Sequence, residues 1–95
     1  MKPRKIDILG HTWKIRYIKV VKDKGELLDG FELPDKQTIL IRNTIPEDQQ
    51  MSALLHEVMH IIADSLGIKL SCDEDDTARY ETGLYQVLHT NKLRF

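Results

Sequence analysis

The sequence predicts an α+β fold: a small antiparallel sheet of three or four strands, followed by two packed antiparallel helices. Three observations carry that prediction. Up to Arg42, short apolar stretches alternate with turn residues. Residues 49–66 contain neither Gly nor Pro, and a second helical pattern follows Gly67. Strands first and helices second is the order of a sheet with its helices segregated to one side. A chain of 95 residues makes one domain, residues 1–95, with room for one modest core.

The elements follow in order. Ile6, Ile8 and Leu9 open the chain with an apolar stretch, and Gly10-His11 reads as a turn. Trp13, Ile15 and Tyr17 alternate with Lys14 and Arg16, which is the period-two signature of a half-buried strand. Val20 and Val21 extend it to a turn at Lys22-Asp23-Lys24-Gly25. Residues 27–33 read as a strand broken by Gly30. Pro34-Asp35-Lys36 turns the chain into Thr38–Arg42, the clearest strand of the set. The first helix starts near Thr44-Ile45-Pro46-Glu47-Asp48. Thr44 or a neighbour can cap it, Pro46 suits the first turn, and two acids meet the positive end of the helix dipole. Gly67 is its stop signal. After a short connection at 68–71, Asp73-Glu74-Asp75-Asp76 opens a second helix that runs to about Thr90.

Charge and composition narrow the function. Fifteen Asp plus Glu face fourteen Lys plus Arg, and this balance weighs against nucleic acid as the main partner, despite a short basic arm at residues 2–5. No apolar stretch follows that arm, so no signal peptide is expected, and no apolar run reaches membrane-spanning length. Cys72 is the single cysteine. It offers neither a disulfide framework nor a cysteine zinc site, which fits a reducing cytoplasm.

The chemistry is concentrated at His56-Glu57-Val58-Met59-His60. This is H-E-x-x-H. On a helix, residues 56 and 60 lie one turn apart on the same face, so both imidazoles can reach one metal ion. Glu57 lies about 100° further round, where it can meet a water beside the metal without becoming a ligand. Such a pattern arises by chance in roughly a few of every thousand chains this long, and paired helix histidines are often plain surface groups. Context decides in favour of a metal. Met51, Leu54, Leu55, Val58, Ile61, Ile62 and Leu66 form an apolar arc roughly opposite the histidines, so these are not ordinary core residues.

A site of this kind needs a third protein ligand and keeps one position open. Glu81 is the leading candidate. Leu84, Leu88, Ala78 and Tyr85 surround it on the helical wheel, and a carboxylate within an apolar stripe needs a cation or a partner. Antiparallel helices also bring Glu81 level with His60. The alternative for Glu81 is a salt bridge beneath the helix. Glu74 shares the face but lies about 10 Å further along the axis, where it suits dipole compensation. Asp64 is either an exposed helix acid or a partner that holds a histidine tautomer. Tyr85 is a candidate for stabilising an oxyanion, although a core tyrosine with a wet tip is the commoner arrangement. His11 and His89 read as surface or turn residues.

Leu54-Leu55-His56-Glu57-Val58-Met59-His60 resembles the active-site helix of small gluzincin-type metallopeptidases. Glu81-Thr82-Gly83-Leu84-Tyr85 resembles a stretch of ImmA/IrrE-type peptidases: a glutamate, two small residues, any residue, then an aromatic. Gly83-Leu84-Tyr85-Gln86-Val87-Leu88 is similar to the end of short phage- and prophage-encoded proteins with the same strands-then-helices order. The resemblance covers roughly residues 10–91 and implies a minimal zincin in the cytoplasm of a bacterial or phage-infected cell.

Residues and resemblance together lead to one expectation. His56, His60 and Glu81 hold Zn2+, and Glu57 is the general base toward a metal-activated water that hydrolyses a peptide bond. A peptide or protein substrate would lie along an exposed sheet edge, with the strand at 39–42 as one candidate. The competing expectation is a zinc-stabilised phage accessory or binding protein with little or no catalysis, because so small a domain gains much from a structural ion.

Overall fold

Two-residue turns shape the start of the chain. Leu9 and Gly10 both take positive φ, 49° and 90°, the twist that joins antiparallel strands tightly. They connect β1 (Lys5–Ile8) to β2 (His11–Ile18), with Ile6 opposite Trp13. The computed structural model describes residues 2–68 and 74–92, and within the second helix the side chains at 79, 80 and 82–92. β3 (Lys22–Asp23) and β4 (Glu26–Leu27) turn at Lys24-Gly25 in the same left-handed way and make a separate two-stranded sheet. The sequence indicated only a turn there. β5 (Gly30–Leu33) follows, then a 3-10 turn at Pro34–Lys36, then β6 (Thr38–Arg42). The stretch 27–33 is therefore split at Leu28-Asp29, and Gly30 begins a strand.

The main sheet has the order β1-β2-β6-β5. It is mixed, and this corrects the expected antiparallel sheet. β2 and β6 run parallel, with Ile15 opposite Ile39 and Tyr17 opposite Ile41. Alternation of apolar residues encodes the face of a strand but not the direction of its partner. A parallel pair needs a long crossover, which residues 19–37 supply. β6 lies between β2 and β5, so the strand at 39–42 is interior. The edges are β1 and β5.

One face of this sheet carries Ile6, Ile8, Trp13, Ile15, Ile39 and Ile41, and these pack with Leu54, Val58, Ile61, Ile62 and Val87 from the helices. The first helix, α1 (Glu47–Leu66), has Pro46 at its cap position with no side-chain cap, so Thr44 does not serve. Instead the Gln50 side-chain amide donates to the Ile45 carbonyl at 2.8 Å. Gly67 ends α1 at φ 65°, its N–H turned to the Ala63 and Asp64 carbonyls.

The second helix, α2 (Glu74–Asn91), is tied to β1. Asn91 exchanges two hydrogen bonds of 2.7 Å with the backbone of Asp7. Gln86 accepts from the Leu9 N–H at 3.2 Å. Its buried positions include Tyr80, packed with Ala63 and Ile68, and Val87 in the main core. No helix among the described residues is long and apolar enough to cross a membrane.

Gly83 lies close against α1. A Cβ there would stand 2.5 Å from Ile62 Cγ2 and 3.3 Å from Leu66 Cδ1. The Ile62 methyl sits on a β-branched stem and cannot swing aside freely. Gly83→Ala is therefore expected to destabilise the protein by about 1–3 kcal/mol from overpacking, outweighing a helix-propensity gain of about 1 kcal/mol. Chemical denaturation measures this, and a stabilised variant would refute the contact.

Candidate functional site

The site forms where α1 passes the β5 edge. Gly30 pairs with Ile41 and Glu32 with Ile39. Residues opposite each other in an antiparallel pair point to the same face. Gly30 and Glu32 thus look toward the helix layer, as Ile39 and Ile41 do. α1 meets them with His56, Glu57, His60 and Asp64.

The two histidines converge. Their Nε2 atoms are 3.1 Å apart, and their rings meet edge to face at 77° with centroids 4.6 Å apart. Two ligands on a tetrahedral zinc, at bond lengths of about 2.0–2.1 Å, stand about 3.3 Å from each other. The spacing is that of a hydrogen bond between the two rings, and it is also close to the separation of two ligands on one ion. His56 is exposed and His60 half-buried.

Glu57 differs from its neighbours. It is 9% exposed, and no hydrogen bond from the described residues reaches its carboxylate. Burial pushes its pKa up, while the His56 and His60 imidazoles pull it back. It shares the wall of a cavity of about 630 Å³ with His56, Gly30, Leu27, Leu28 and Ala53. A second cavity of about 220 Å³ is lined by Trp13, Glu32, Pro34, Ile61, Asp64 and Ser65. Along α1, the two cavities lie on either side of His60.

His56, Glu57 and His60 come together as the helix required. Glu81 and Glu74 both belong to α2, and their side chains lie outside the described ones, as does Cys72. Asp64 is exposed and lies by Glu32 at the second cavity. Among the described residues, no third His, Cys, Asp or Glu joins the imidazoles in a set able to hold a metal. Tyr85 is 67% exposed and stacks on His89 at 5.6 Å. It lines neither cavity, so the apolar stripe expected to include it is displaced. Gly30 and Glu32 are the residues that sequence reasoning missed. Their only signal was a glycine and an acid at alternate positions of an otherwise apolar strand. No protein-family model, curated protein or solved structure matches this chain.

Glu32 gives a test of the site's electrostatics. Burial raises its pKa most, Asp64 and Glu57 raise it further, and His60 opposes them. An acid with a raised folded pKa contributes stability that is full at acid pH and is lost as pH climbs through that raised value. Glu32→Gln should therefore stabilise the metal-free protein at neutral pH. The gain should be about 0.5–1 kcal/mol, the low end of such substitutions because water screens a half-buried group. The difference should close at acid pH. Denaturant titration at both pH values reads it, and equal stability at neutral pH would contradict the unfavourable charge.

Proposed function

We propose that this chain is a zinc-dependent peptidase of the small gluzincin type. One observation carries the reading: two imidazole nitrogens 3.1 Å apart beside a buried glutamate that opens on a cavity. His56 and His60 hold the ion, and Glu81 is the proposed third ligand. Zinc bound there supplies Lewis-acid polarisation of a carbonyl and lowers the pKa of water toward about 7.

The chain's own residues do the rest. Glu57 takes a proton from the attacking water and later returns it to the leaving amine as the C–N bond breaks. β5 is an edge strand running beside the site, so its free backbone groups suit an extended peptide added as a further strand. The substrate class is a peptide or an unfolded protein segment. A cytoplasmic location goes with this reading, since Cys72 has no second cysteine to pair with.

The experiment is a metal analysis of untagged protein combined with a coordination count. One zinc per chain is expected, bound by three protein ligands. Glu81→Ala should weaken binding strongly and Glu74→Ala should not. The reverse pattern would move the third ligand to the start of α2. A fourth protein ligand would favour a zinc-stabilised accessory protein over an enzyme.

A further inference from the structure

Gly30 opens β5 and lies beside Glu57. A Cβ at this position would be 3.2 Å from Ile41 Cδ1, 3.3 Å from Glu57 Cγ and 3.4 Å from the Leu40 carbonyl oxygen. Its backbone is not left-handed, unlike Gly10, Gly25 and Gly67. Backbone conformation therefore does not demand a glycine here. Glycine inside a strand weakens it and often marks a place where something approaches closely. Here the approaching groups are the Ile41 Cδ1 methyl and the stem of Glu57.

That stem has an unusual task. The Glu57 carboxylate receives no hydrogen bond from the described residues, yet the residue is 9% exposed. With no donor among the described residues to hold it, packing of the stem bears on where the carboxylate stands. On the β5 side, a Cβ at Gly30 would stand 3.3 Å from the Glu57 Cγ.

We propose that Gly30 is a positioning residue: the missing side chain at this point of the edge strand sets the place of the Glu57 carboxylate relative to His56 and His60. Its consequence for catalysis rests on the peptidase reading, whereas the contact itself does not. The three neighbours of an added methyl differ in how they can yield. The Leu40 carbonyl belongs to the sheet backbone, and Ile41 is wholly buried in the core. The Glu57 side chain ends in a cavity, so it has room to yield, whereas the Ile41 methyl can shift only within the core. An added methyl at 3.2–3.4 Å asks its neighbours to give by a few tenths of an ångström, a displacement that a reacting group feels.

The test is Gly30→Ala in three backgrounds: native, Glu57→Ala and Ile41→Val. Melting temperatures are taken first on metal-free protein. Glu57→Ala removes the stem, so the added methyl should be tolerated better there by several degrees than in the native background. Ile41→Val removes only the Cδ1 contact at 3.2 Å and should give the smaller relief. Equal effects in all three backgrounds, or relief by Ile41→Val as large as that by Glu57→Ala, overturn the proposal. On zinc-loaded protein, with any peptide the native chain cleaves, Gly30→Ala should lower kcat by about threefold. KM and zinc stoichiometry should stay unchanged. A raised KM with unchanged kcat would assign Gly30 to substrate approach and overturn the positioning role. If the native chain cleaves no peptide, the peptidase reading fails, and the melting comparison still decides whether Gly30 places Glu57.

Discussion

Glu57→Gln is expected to keep the fold and the zinc while lowering peptide hydrolysis by roughly 10²–10⁴-fold, the contribution of a positioned general base. Glutamine preserves the stem that packs against Gly30 and removes only the ability to take a proton. The side chain leaves the helix about 100° from His56, so the substitution alters no proposed ligand. Turnover should be measured on unfolded proteins and a library of short peptides, with zinc content checked in the same samples. If the variant cleaves as fast as the native chain, Glu57 is not the base.

Removing the metal is expected to lower the melting temperature by about 10 °C or more. An ion that binds only the folded state stabilises it by about 2.7 kcal/mol at a hundredfold excess over Kd. In a domain of this size each kcal/mol moves the midpoint by about 4–8 °C. The physical reason lies in the site itself. Glu57 and Glu32 are carboxylates whose charge burial disfavours, and a dication beside them offsets that penalty. His60→Ala should melt at one temperature with or without chelator. An unchanged melting curve for native protein verified as metal-free would show that the apolar core alone sustains the fold, and the proposed zinc would lose its structural consequence.

Much of the proposed site is local, which is why it was legible. His56, Glu57 and His60 lie within five consecutive residues, and a helix converts that spacing into geometry without any distant contact. The apolar arc of α1 was legible for the same reason: Leu54, Val58, Ile61 and Ile62 are buried, and the histidines are not. Alternation likewise assigned Trp13 and Ile15 to a buried face.

The remainder depends on contacts between residues far apart in the chain. Direction of pairing is one case: nothing in Thr38–Arg42 states that it runs parallel to β2 and antiparallel to β5. Edge position is another, since it depends on which strands lie outside. The Lys22–Leu27 hairpin shows in the sequence only as a turn, because two residues on each side carry too little alternation to mark a strand. Gly30 and Glu32 became part of the candidate site through the register of β5 against β6, which brings both to the helix-facing side at the sheet's open edge. The sequence by itself determined the helix, its stop and the clustering of His56, Glu57 and His60, because periodicity along one element is enough for these. Only the tertiary structure decided which strand borders them and which glycine makes room for Glu57, because register and edge are properties of a pair of strands and not of either strand alone.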